Sequence, residues 1–145
     1  MKIYIGNREI ADESYKKTND PEALNYMADD SECMAIALDN VLSKTDLDKI
    51  AKIISLAAKK LRTGGKLIIN DVDFDLLHFV YSKNPNPMDL NKLVDSIGGL
   101  RSILTYQLMI SMIQSQTSLV LDSIKLNNVE FKLEYSKNGW SCNEQ

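Results

Sequence analysis

The sequence predicts an α/β domain built on a mostly parallel sheet that ends in an antiparallel hairpin. Two observations carry this. A continuous apolar run, Glu32 to Leu38, leads into a strongly periodic helix, Thr45 to Leu61, and then directly into a second apolar stretch, Lys66 to Ile69. Strand–helix–strand succession of this kind implies parallel strands joined by a right-handed crossover. Near the C-terminus, Leu119 to Leu126 and Glu130 to Tyr135 flank Asn127-Asn128, a tight-turn signal that pairs them as a hairpin. At 145 residues the chain supports one core. The expected division is one domain over residues 1–136 and a polar tail over 137–145.

Each element has its own justification. Lys2 to Ile5 is β-branched and aromatic and stops at Gly6, which reads as a short strand. Asn7 to Glu22 is polar and irregular, with room for a short strand at Tyr15 to Thr18. The Glu32 run is bounded by Asp29-Asp30-Ser31 and Asp39-Asn40, and its lack of alternation suits a parallel strand covered on both faces. In the long helix Thr45 and Asp48 resemble a capping box. Leu47, Ile50, Ile54, Ala57, Ala58 and Leu61 form its apolar face. Lys59, Lys60 and Arg62 crowd its C-terminal end, where cations complement the helix dipole, and read as a solvated helix end. Gly64 or Gly65 is expected to supply a left-handed cap. Asp73 to Tyr81 reads as a further helix. Pro87 opens another, with Leu90, Leu93, Val94 and Ile97 inward and Gly98-Gly99 at its end. Thr105 is expected to cap a last helix, Tyr106 to Gln114, with Leu108, Met109, Met112 and Ile113 inward.

The bulk chemistry removes several function classes. A net charge of −3 gives no basic face for a nucleic-acid backbone. No apolar run reaches the roughly 20 residues of a membrane-spanning helix, and the N-terminus lacks a signal-peptide core. Cytoplasmic residence is the resulting expectation. Cys33 and Cys142 have no metal-ligand spacing, and there is one histidine, so neither a disulfide framework nor a zinc site is expected.

The stretch from Glu32 to Asp73 resembles the second half of class I S-adenosylmethionine-dependent methyltransferases. In that family a strand leads to a loop over the cofactor, and a helix ends in a glycine turn before the next strand. Here the turn is Leu61-Arg62-Thr63-Gly64-Gly65, and the loop is Asp39-Asn40-Val41-Leu42. The opening Met1-Lys2-Ile3 and the segment Arg101 to Thr105 are similar to short methyltransferase-like proteins carried by some phages. The resemblance implies a reduced Rossmann-like methyltransferase fold with helices on its faces. The front third departs from the family: a single Gly6 stands where a glycine-rich cofactor loop belongs, and no helix of normal length precedes Asp20.

The resemblance also implies a site. Ligands of open parallel sheets bind beyond the C-terminal strand ends. Gly6 matches the cofactor loop, Asp20 the acid that holds the ribose, and Asp29 or Asp30 the contact to the adenine amino group. Asp39 and Asn40 would flank the methyl donor, or form only a polar turn. Asp71 or Asp73 would face the acceptor as the catalytic candidate, or cap the helix that Phe74 begins. His78 is a general base or a packed histidine, and Arg101 holds an anionic acceptor or ties down its loop. Two functions follow. One is an S-adenosylmethionine-dependent methyltransferase of unknown acceptor. The other is a degenerate methyltransferase-like protein with a structural or assembly role. A missing first helix would leave sheet surface uncovered, so self-association or a protein partner is expected.

Overall fold

The structure, a computed structural model, describes residues 1–76, 79, 104–127 and 129–138. The expected Pro87 helix, Gly98-Gly99, His78, Arg101, Asn128 and Cys142 lie outside the described residues.

The strands are β1 (Lys2–Ile5), β2 (Tyr15–Thr18), β3 (Cys33–Asp39), β4 (Leu61–Val72), β5 (Val120–Asn127) and β6 (Glu130–Ser136). The helices are α1 (Leu24–Met27), preceded by a 3-10 turn at Pro21–Ala23, α2 (Leu47–Lys60) and α3 (Tyr106–Gln116). One six-stranded sheet has the order β2-β1-β3-β4-β6-β5. The first four strands are parallel; β6 is antiparallel to both β4 and β5. The expected parallel core and terminal hairpin are therefore present, with β6 inside the sheet and β5 at its edge.

Strand periodicity sorts the core. Register aligns Ile3, Ile36, Leu67 and Tyr135 in one row across β1, β3, β4 and β6, and Ile5, Leu38, Ile69 and Leu133 in the next. All eight are buried. Side chains two apart on a strand share a face, so both rows lie on the same face of the sheet. The helices complete this core with Leu24 from α1, Ile50, Ile54 and Ala57 from α2, and Met109 and Ile113 from α3. Tyr4, Ala37, Ile68 and Glu134 form a row on the opposite face. Among the described residues the helices serve the first face alone.

Several local expectations are corrected. The N-cap of α2 is Asp46, not Thr45. The Thr45 hydroxyl instead donates to the Val41 carbonyl at 2.7 Å, a local side-chain bond of the kind that competes with capping. Leu47 lies in the opening turn and is 55% exposed, Ala58 is half-buried, and Ile53 joins the buried stripe. In α3 the inward phase runs through Met109 and Ile113, which turns Leu108 outward. Thr105 does cap α3, accepting from the Leu108 N–H at 3.1 Å.

The helix-to-strand reversal uses its glycines differently from expectation. No glycine caps α2: Leu61 is already extended, and Lys137 Nζ donates to the Ala58 and Leu61 carbonyls at 2.9 and 2.7 Å. A cation at the helix C-terminus thus satisfies carbonyls that a glycine cap would otherwise serve. The glycines belong to a bulge. Pairing jumps from Cys33–Leu61 to Ala35–Lys66, and Gly64 takes φ +83° there while its N–H bonds the Lys137 carbonyl.

The fully buried Tyr135 hydroxyl has no hydrogen-bond partner among the described residues, and burial pushes its pKa up to about 12. An unpaired buried hydroxyl costs stability. Tyr135→Phe is therefore expected to leave stability unchanged or raise it by up to about 1 kcal/mol in urea unfolding. A loss of more than that would contradict the account.

Candidate functional site

The parallel strands end together. Ile5, Thr18 and Leu38 are level, and Asp39 is level with Asn70. The edge beyond them is where a ligand crevice forms in open parallel sheets. A hydrogen-bonded cluster occupies it.

Asp39 is the centre. Alternation along β1 sends Ile3 and Ile5 to the core and leaves Tyr4 on the opposite face, where Ala37 and Asp39 also point. The Tyr4 hydroxyl donates to Asp39 Oδ2 at 2.5 Å, and Asn70 Nδ2 donates to Asp39 Oδ1 at 3.2 Å. Burial, and then the bond to Asp39 and its charge, push the Tyr4 pKa up to about 12, so the phenol remains a donor. Arg8 completes the cluster: its Nε stands 3.7 Å from Asp39 Oδ2, and its Nη2 pairs with Glu130.

Asn40 continues β3 into the loop. It adopts φ +57°, a left-handed conformation that asparagine tolerates better than most residues. Its N–H bonds the Asn70 carbonyl at 2.8 Å. Its Oδ1 is buried without a hydrogen-bond partner among the described residues. A buried acceptor without a partner is uncommon in folded proteins.

Asp71 holds the same loop from below. It is fully buried, accepting from the Ser43 N–H at 3.1 Å and the Val72 N–H at 2.8 Å. Burial raises its pKa, and the Asp39 charge adds to this, while the hydrogen bonds from Ser43 and Val72 oppose it. Asp73 is also fully buried. Its Oδ1 accepts from the Leu76 N–H at 3.0 Å and its Oδ2 from the Tyr106 N–H at 2.8 Å.

Gly6 lies against Asp39. A Cβ there would stand 2.8 Å from the Asp39 carbonyl oxygen, so the missing side chain lets β1 pack on β3. Asp20 follows β2 at the same edge, where it accepts from the Glu22 N–H at 3.0 Å. It shares a cavity of about 290 Å³ with Lys44, Lys49 and Ile53. Asp29 is not brought to this cluster. It precedes β3, and its neighbours Ser31 and Glu32 bond the Lys59 and Lys60 carbonyls at the end of α2, so it lies at the opposite edge of the sheet. Asp30 lies there too, paired with Lys59 and Lys60.

Tyr4, Arg8 and Glu130 escaped sequence reasoning. Alternation between Ile3 and Ile5 could have singled out Tyr4. Nothing local links Arg8 to a partner as far along the chain as Glu130.

No protein-family model and no curated protein matches this chain. Solved structures do. An O-methyltransferase family protein from Burkholderia thailandensis aligns over 86% of this chain and 35% of its own, at 12% identity and TM-score 0.56. A Thermotoga maritima protein described as a methyltransferase using S-adenosylmethionine, possibly a histamine N-methyltransferase, aligns over 86% and 63%, at 12% identity and TM-score 0.57. The complex of the Haloferax volcanii Trm112 methyltransferase activator with a methyltransferase aligns over 89% and 64%, at 6% identity and TM-score 0.61. The chain has the Rossmann-like methyltransferase fold. It spans about a third of the first neighbour's length and less than two thirds of the other two. Within this fold the β1–β2 connection is a loop over residues 6–14, and Arg8 on that loop reaches β6. Among the described residues no helix is long and apolar enough to cross a membrane.

Proposed function

We propose that this chain binds S-adenosylmethionine along the C-terminal edge of its parallel strands and serves methyl transfer from it to an acceptor. The observation that carries the reading is the strand-end cluster on a methyltransferase sheet: Asp39, held by Tyr4, Asn70 and Arg8, beside Asn40 in a left-handed turn at the end of β3. Asp20 supports it from the end of β2, on the far side of β1, as a carboxylate suited to ribose hydroxyls. The cavity beside Asp20 is near the lower limit of the roughly 300–1,000 Å³ of ligand pockets and suits a nucleoside-sized group.

S-adenosylmethionine supplies an electrophilic methyl group on a sulfonium. The residues of this chain supply place and field. Asp39 is held by Tyr4, Asn70 and Arg8, so its orientation is fixed before a ligand arrives. Asp39 places a carboxylate at this edge, whose charge favours a cationic group beyond it. Asp71 fixes the loop that follows Asn40, acting as a positioning residue through Ser43. Asp73 holds the entrance of α3 through Tyr106 and is a positioning residue in the same sense.

Calorimetry with S-adenosylhomocysteine tests this. Asp39→Ala is expected to weaken binding about tenfold or more, the scale of one lost charge-assisted contact. Unchanged affinity would remove Asp39 from the cofactor site.

A further inference from the structure

We infer that the outer edge of β5 is a self-complementary dimer surface, where a second copy of this chain pairs antiparallel across a two-fold axis at Ile124. The inference is independent of the methyl-donor reading.

The first observation is the edge itself. The outer strands of the sheet are β2 and β5, and among the described residues each pairs on one side only. β2 has four residues, Tyr15-Lys16-Lys17-Thr18, with both lysines exposed. A short edge carrying lysines is one way a sheet avoids pairing with another chain. β5 has eight residues and offers the unpaired main-chain groups of its outer side to a further strand.

The second observation is an apolar layer that runs out to this edge. Leu121, Ile124 and Leu126 stand opposite Tyr135, Leu133 and Phe131, all three buried. Directly opposed residues share a face, so the three β5 side chains lie on the core face of the sheet. Ile124 is 43% exposed and Leu126 49%, and among the described residues no strand lies beyond them.

The third observation is that β5 complements itself. Pairing with β6 passes from Leu121–Tyr135 to Ser123–Glu134, so Asp122 is the extra residue of a bulge. Beyond it, Ile124 meets Leu133. Run backwards, β5 reads Leu126, Lys125, Ile124, the same succession of faces as Tyr135, Glu134 and Leu133. A second β5 can therefore take on the outer side the register that β6 takes on the inner one. Leu121 then meets Leu126 of the second copy, Ile124 meets Ile124, and Leu126 meets Leu121, all on the core face. The bulge of each strand opposes Lys125 of the other. Because the same contacts recur on both sides of Ile124, the interface closes as a two-fold dimer.

Charge agrees with this register. The Ser136 hydroxyl donates to Asp122 Oδ1 at 3.2 Å, and Ser136 shares the face of Glu134, away from the core. Lys125 stands opposite Lys132 on that same face. Lys132 pairs with Glu134, while Lys125 has no ion pair among the described residues. In the dimer each Lys125 faces Asp122 of the other copy, so two opposite-charge pairs form. One strand edge is a small interface, and the expected dimer is weak, in the micromolar range.

Sedimentation equilibrium of the intact chain at low salt tests this, with urea unfolding of each variant as the control for folding. The wild-type mass is expected to rise with concentration towards that of a dimer. Ile124→Lys sets two like charges against each other on the axis and should hold the chain monomeric. Asp122→Lys and Lys125→Glu each replace both attractive pairs by repulsive ones and should weaken the dimer about tenfold. Mixed in equal amounts, these two variants should pair with each other and recover the wild-type affinity, because both cross-strand pairs become attractive again. A wild type that stays monomeric at millimolar concentration would overturn the inference and leave this edge to a different partner. A folded Ile124→Lys variant that dimerises like the wild type would overturn it too, as would a mixture no tighter than its separate components.

Discussion

Asp73→Ala is expected to lower folding stability by about 3 kcal/mol in urea unfolding. Asp73 has no exposed surface, and each carboxylate oxygen accepts a backbone N–H, from Leu76 and from Tyr106. The two donors belong to the helical turn at 74–76 and to the first residue of α3. One side chain therefore ties two helix beginnings to the end of β4. Hydrogen bonds to a charged group contribute roughly 1.5–3 kcal/mol each, and alanine would leave both N–H groups without this acceptor. The main chain reinforces the junction, with the Asp73 N–H bonding the Val129 carbonyl and the Phe74 N–H bonding the Leu104 carbonyl, both at 2.8 Å. Asp73→Asn keeps one carbonyl acceptor and should lose less, about 1–2 kcal/mol. A loss below about 1 kcal/mol for Asp73→Ala, with methyl transfer abolished, would return Asp73 to the catalytic role that its sequence position suggests.

The second large effect belongs to Gly65→Ala, expected to cost about 2–3 kcal/mol. A Cβ there would meet the Arg62 and Cys33 carbonyl oxygens, each at 2.8 Å. Both are backbone atoms of the bulge that joins β4 to β3, so neither can swing aside as a flexible side chain would. Gly64 is the contrasting neighbour. Its positive φ penalises a side chain, but a Cβ would enter open space. Gly64→Ala should therefore cost less, about 1–2 kcal/mol. If the two variants ranked in the opposite order under urea unfolding, strain in the turn would outweigh close packing at the bulge.

Much of the fold was legible because its signals are local. The Glu32 run, the periodicity of α2 and the Asn127-Asn128 turn each announce an element within a few residues. Continuous apolar sequence also pointed to β3 as a parallel strand covered on both faces; it does pair in parallel with β1 and β4, and among the described residues the helices cover one of its faces. The failures share a different cause. Thr45 fits a cap by type and spacing; the Val41 carbonyl, fixed by the preceding loop, takes its hydroxyl instead. Gly64 or Gly65 fits a cap at the end of α2 by position, and the sequence does not reveal that Lys137, just beyond β6, binds the last carbonyls.

The site divides along the same line. Asp39, Asn40 and Asp20 could be named because they follow strands, and strand ends are visible in sequence. Asp29 joins them only by family resemblance, and topology sends it to the opposite edge: a residue that precedes a parallel strand lies away from the residues that follow it. Arg8 and Glu130 meet only because β6 inserts beside β4, so no local pattern could have joined them. Tyr4 was half visible, since alternation with Ile3 and Ile5 sets it on the face away from the helices.

The central claim is that the edge around Asp39 and Asn40 binds S-adenosylmethionine. A thermal-shift titration of the intact chain with S-adenosylmethionine and S-adenosylhomocysteine tests it most directly, because a ligand selective for the folded state raises the melting temperature by mass action. At a hundredfold excess over Kd the gain is about 2.7 kcal/mol, a rise of several degrees for a domain of this size. The account predicts a rise with both compounds that grows with their concentration and is smaller for Asp39→Ala. A melting temperature that does not move at millimolar concentrations of either compound would contradict it.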